Sequence, residues 1–160
     1  MDVDEFWHLI EESAGVPGGK EARLRWLEER LMQRPADDIV DFKAWLYEAD
    51  SRADTNLLAG ASNALYLTGG DDSVCYFRMW LIGLGRETFE RVVHDPDTLA
   101  DVPEVQRYNA MQRLGLRRTD EDLPELEALA YVPAKAWERA TGKNWDLFAL
   151  ALKARGVGEG

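Results

Sequence analysis

Four charged residues offer the clearest opening for chemistry in this sequence: Asp71, Asp72, Arg78 and Arg86. The paired aspartates stand at the start of an expected helix. Arg78 lies about two turns further on, near their face. Arg86 opens the next helix after Gly85. Guanidinium groups grip carboxylate or phosphate through two parallel hydrogen bonds, and aspartates receive cations. With Trp80 as its aromatic member, the group would form a polar pocket for a charged ligand or a partner's peptide. The same residues have a structural use. An aspartate at a helix start caps free N–H groups and complements the helix dipole, while arginines tie helices together through buried ion pairs. Caps of this kind are common and each stabilises by about 1 kcal/mol, so the structural use carries more weight.

Other chemistries find less support. His8 and His94 are far apart, and neither stands at His-x-x-x-His or Glu-x-x-His spacing, so no metal site is expected. Cys75 is the one cysteine. It can form no disulfide within the chain and no thiolate zinc site. Its apolar neighbours predict a buried thiol acting as a small hydrophobe. No Gly-x-Ser-x-Gly elbow and no Gly-rich phosphate loop occur, and no catalytic residue or cofactor is expected. Carboxylates are plentiful throughout, so a pair of them does not by itself indicate a glycosidase.

The elements that would position these residues read as helices. Asp2 with Glu5 three residues later forms a capping-box pattern, and Phe6, Leu9 and Ile10 follow at helical spacing. The stretch from Ala14 to Gly19 ends that helix. A second helix is expected over 20–33, with Leu24, Leu27 and Leu31 on one face, stopped by Pro35. A third begins at Asp37 or Asp38, turns Ile39, Phe42, Leu46 and Ala49 inward, and ends near Arg52. Asp54 or Thr55 caps a fourth, which is expected to end at Gly69-Gly70. Tyr76, Phe77, Trp80, Leu81 and Leu84 mark a core helix, and residues 86–93 a short sixth. Asp95-Pro96-Asp97 turns the chain, and 95–122 is the loosest region. Val105, Tyr108, Met111 and Leu114 suit a further helix, as do Leu126, Leu129 and Val132. Pro133 either kinks the latter or begins a new helix running to Gly142. A last helix is expected over 145–153, frayed from Gly156 to Gly160. No segment alternates cleanly enough for a strand. The expected fold is all-α: one compact domain of about six to nine helices over 1–160, with residues 143–160 as a tail.

The balance of 30 acidic against 19 basic residues gives a net charge of −11. Such a surface repels nucleic acid at long range, and Arg117-Arg118, the one adjacent basic pair, is followed after Thr119 by Asp120, Glu121 and Asp122. No secretory leader is evident, and the apolar run from Met79 to Leu84 is far too short to span a bilayer. A cytoplasmic protein acting away from membranes is expected. Six tryptophans are many for this length. Trp7 and Trp80 fit core faces, whereas Trp26 and Trp45 sit one position off the stripes of their helices, where each could border a groove.

Taken in order, several segments resemble a known family. They are Phe6-Trp7-His8-Leu9-Ile10, Ile39 with Phe42, the run from Asp71 to Ile82, Gly85-Arg86, and Asp95-Pro96-Asp97-Thr98-Leu99-Ala100. Together they resemble the bacterial domain of unknown function 4240 family, in its actinobacterial members most closely. The likeness covers roughly residues 2 to 142, and its specific part runs from Leu57 to Ala100. Departures occur where members often carry Cys-Ser and this chain has Gly69-Gly70, where Val74 replaces a Phe, and where Leu57-Leu58 replaces Leu-Trp. The resemblance implies a small helical domain and no particular activity.

Two function classes follow. The first is a non-enzymatic interaction or regulatory module, engaging a more basic protein. The second is a small enzyme or accessory factor using the region of Asp71, Asp72, Arg78 and Arg86.

Overall fold

The computed structural model describes residues 1–69 and 71–158, with the backbone alone for Asp71. Gly70, expected to end the fourth helix, lies outside the described residues, as do the Asp71 side chain and the last two residues of the expected frayed tail, Glu159 and Gly160. The described residues form α-helices and two short 3-10 helices, with no strand among them. The chain gathers into two compact units, Met1–Ser51 with Ala128–Gly160, and Arg52–Glu127.

The first unit holds α1 (Val3–Ala14), α2 (Gly19–Met32), most of α3 (Ala36–Ala53), α8 (Val132–Thr141) and α9 (Trp145–Lys153). Its first helix starts where the capping box predicts. The Asp2 carboxylate accepts from the Glu5 amide at 2.8 Å, and Glu5 accepts from the Asp2 amide at 2.8 Å. Phe6 sits edge-on against Trp7 and Phe42, with ring centroids 5.0 and 4.9 Å apart. Such buried aromatic pairs add about 0.5–1.5 kcal/mol beyond the burial of their area. Arg23 donates to the Ser13 hydroxyl at 2.9 Å and to the Ile10 carbonyl at 3.3 Å. It thereby satisfies polar groups at the end of α1. The most extensive helix contact in the unit is α2 on α8. Lys43 reaches the Ala130 carbonyl at 3.1 Å, and burial pushes its ammonium down while Asp50 opposes the shift.

At the far end of this unit, Phe148 of α9 is fully buried, 5.3 Å from the Trp137 ring and 5.7 Å from Trp145. Asn144 caps α9 by accepting from the Leu147 amide at 3.3 Å. The expected fraying after α9 is not what the described residues form. Gly156 and Val157 donate back to Lys153 and Leu152 at 2.9 and 3.2 Å, and Gly156 takes φ +77° to close the turn.

The second unit holds α4 (Asn56–Ala64), α5 (Asp71–Gly83), α6 (Arg86–His94), a 3-10 helix (Pro96–Asp101) and α7 (Pro103–Arg113). Thr55 caps α4 by accepting from the Leu58 amide at 3.2 Å. The 3-10 helix is the hub of the unit, packing on α4, α6 and α7, with Leu99 fully buried at its centre. Its start is set by Asp95, whose carboxylate accepts from the Asp97 amide at 3.2 Å, and by Pro96 in its first turn. Gly85 precedes α6 at φ +103°, a conformation open to glycine and strained for other residues.

Four further details differ from the sequence expectations. The fourth helix stops at Ala64, because Tyr66 takes φ +57° and the chain folds back. Thr68 is drawn inward there, its hydroxyl 3.1 Å from that of Ser62. Cys75 is exposed rather than buried, since the core face of α5 is set by Phe77, Leu81 and Ile82. Leu114 ends the α7 pattern yet is 72% exposed, because the helix terminates at Arg113 before the next inward position. Leu126, Leu129 and Val132 do not share one helix. Glu127–Tyr131 is a 3-10 turn, and Pro133 stands in the first turn of α8.

Candidate functional site

Arg78, on α5, is buried, and its side chain is 11% exposed. Its guanidinium lies 3.3 Å from the Asp54 carboxylate and 3.7 Å from the Cys75 sulfur. The charge expected to hold a ligand is therefore engaged by an aspartate of the α3–α4 connection. Asp72 is exposed on the first turn of α5. Arg86, half-buried, is the first residue of α6 and acts on Glu90 one turn later. Arg52 grips that glutamate through two hydrogen bonds of 2.8 and 2.6 Å. The Arg52 bonds, with a smaller contribution from the Arg86 charge, hold the Glu90 carboxyl below its ordinary range.

Trp80 is half-buried and tilted against Phe77, with centroids 5.9 Å apart. It lines a hollow of about 80 Å³ with Arg107, Tyr108 and Asp122. That volume suits a few waters and is well short of a metabolite site. Arg107 pairs with Asp122 at 3.0 Å, and Arg118 donates to the Tyr108 hydroxyl at 2.9 Å while stacking over its ring. The Thr119 amide and hydroxyl, ahead of Arg107, keep the Asp122 carboxyl low.

The histidines belong to different units. His8 is exposed, 3.3 Å from Glu12 one turn on, and His94 is exposed at the end of α6. Among the described residues, no three His, Cys, Asp or Glu side chains converge as a metal site. No helix among them is long and apolar enough to cross a membrane.

The first unit carries a cleft of about 460 Å³ between α3 and the turn that follows α9. Trp45, Tyr47 and Glu48 line it from α3, and Arg155 and Val157 line it from the turn. Its far wall is an ion-pair network. The amino group of Met1 lies 2.9 Å from Asp38 and 2.7 Å from Asp41, and Arg155 donates to Asp41 at 2.7 Å. The ammonium's hydrogen bond holds the Asp38 carboxyl below its ordinary range. For Asp41 burial works the other way, and the bonds from the ammonium and Arg155 outweigh it. Trp45 is fixed by its indole N–H, which donates to the Met1 carbonyl at 3.2 Å. Glu48 is exposed and has no cationic partner among the described residues. The cleft therefore presents one uncommitted carboxylate beside an indole and a phenol. This combination attracts cations through charge and through the ring faces. Trp26, the other off-stripe tryptophan, is covered by Arg30 at 4.9 Å.

The family of proteins of unknown function designated DUF4240 matches residues 1–139. The chain belongs to that family. It matches no curated protein and no solved structure. The family match spans α1 to most of α8, including Trp45, Tyr47 and Glu48, and stops short of α9 and Arg155. Sequence patterning pointed to Trp45 as a groove residue. It did not find Glu48 or Arg155, because the pairing of Arg155 with Asp41 spans 114 positions and leaves no local signal.

Proposed function

We propose that this DUF4240 protein is a non-enzymatic interaction module whose α3 cleft receives a lysine or arginine side chain of a more basic partner protein. The observation that carries this reading is the uncommitted Glu48 carboxylate beside Trp45 and Tyr47 in a cleft of about 460 Å³. A cationic side chain entering there would meet a carboxylate and two aromatic faces, and the net charge of −11 would steer a basic protein towards it.

The test is affinity capture from host lysate at low and high salt, with wild type and Glu48→Lys compared. The expected result is a basic protein retained at low salt, released at high salt and not retained by Glu48→Lys, whose circular dichroism matches wild type. Equal retention by both proteins, or no basic protein retained at either salt, refutes the proposal.

A further inference from the structure

The outer face of α9 is apolar where a surface helix is ordinarily polar. Phe148 and Leu152 point into the first unit, while Leu147 and Leu150 stand 46% and 62% exposed. Ala154 continues the outer face just past the helix end, and Asp146 and Lys153 flank it. At 3.6 residues per turn, positions 146, 150 and 153 fall on one side of the helix. Asp146 and Lys153 thus lie on the same flank two turns apart, with Leu150 near their midpoint. Neither charge has an ion-pair partner within the chain among the described residues.

We infer that α9 is a self-association surface, packing antiparallel against α9 of a second copy of this chain. A two-fold axis beside Leu150 sets that side chain against the partner's Leu150 and covers Leu147 and Ala154. The same operation places each Asp146 opposite the partner's Lys153, so both flanking charges find opposite charges. It also runs the two helix dipoles antiparallel. Parallel packing would instead set Asp146 against the partner's Asp146. A membrane surface is the poorer occupant, since one acidic and one basic residue give this face no net positive charge with which to meet anionic lipid. The face of one nine-residue helix is smaller than the standard interface of roughly 1,600 Å² total. The dimer therefore forms at micromolar rather than nanomolar concentrations.

Sedimentation equilibrium of the purified full chain over a wide concentration range tests this, and no other protein is present, so the result is independent of the cleft and its basic partner. The expected average mass rises from monomer towards dimer. Leu150→Arg, with unchanged circular dichroism, stays monomeric. Asp146→Lys and Lys153→Asp each set like charges together and weaken association roughly tenfold. Mixing those two variants restores association to near the wild-type level, because every cross-chain pair is again opposite in sign. Any loss of helix stability from altering the dipole persists in the mixture, so recovery reports pairing alone. A wild type that stays monomeric, a dimer indifferent to Leu150→Arg, or a mixture no tighter than its components overturns the inference.

Discussion

Phe148→Ala should undock α9 without unfolding the protein. Phe148 is fully buried and its ring meets both Trp137 and Trp145. A buried Phe removes about 150–250 Å² from water, which at ~25 cal/mol per Å² is roughly 4–6 kcal/mol gross. Truncation of a core Phe to Ala ordinarily costs about 3–5 kcal/mol. A helix of nine residues is too short to hold itself in water. Ordering those residues costs on the order of 10 kcal/mol of backbone entropy, at about 1–2 kcal/mol each. Phe148 and Leu152 are the buried residues of α9, and Phe148 is the larger and the only one with no exposed surface, so losing it removes most of the docking energy. Undocking then limits the damage, because the rest of the first unit need not bear the cavity. The assay is hydrogen exchange read by peptide, with urea unfolding alongside. Amides of 145–153 should lose protection, the tail should become sensitive to protease near residue 143, and the main transition should fall by less than the full core cost. A main transition lowered by about 3–5 kcal/mol with α9 still protected would refute the argument. It would mean that α9 and its unit unfold as one.

Three further outcomes are expected. Acid should destabilise the fold through Asp38 and Glu90, whose folded pKa values lie below their unfolded ones. Their contribution is present above the unfolded value of about 4 and is lost as pH falls through the folded values, so denaturant midpoints should fall below pH 4, and Glu90→Gln should flatten that slope. Gly85→Ala forces an L residue to φ +103° and should cost about 1–3 kcal/mol by thermal unfolding, and an unchanged melting temperature would show that the turn relaxes freely. The Cys75 thiol, exposed on α5, should be labelled quantitatively by a maleimide in the native protein, and labelling only in denaturant would contradict its exposure.

Local chemistry was legible in the sequence, and long-range placement was not. Asp2 and Glu5 announced the first helix at their three-residue spacing and bond as the pattern requires. Trp145–Lys153 appeared with its observed bounds because Asn144 stops the preceding turn and the apolar repeat begins at once. The end of α4 was hidden, since Leu65 and Tyr66 carry no turn signal and the left-handed step falls on a tyrosine. Cys75 was misjudged because its neighbours are apolar on both sides, and neighbours in sequence do not share a helix face. The contact of Arg78 with Asp54 could not be read at all. Asp54 is 24 positions away in sequence, and the path of the α3–α4 connection brings its carboxylate to 3.3 Å from the guanidinium.

The first unit is assembled from both ends of the chain, with residues 52–127 interposed. During synthesis the two units therefore meet different schedules. All of α4 to α7 leaves the ribosome as one continuous stretch, so the second unit can complete its core while translation proceeds. Helices α1 to α3 emerge earlier still but must wait for Ala136 and Trp137 of α8 before their own core closes. Nascent chains halted after residue 127 has emerged should show protease protection over 52–127 and cleavage within α2. In such chains the earliest-made helices are the last to be secured, and their apolar faces are what a chaperone at the ribosome would meet.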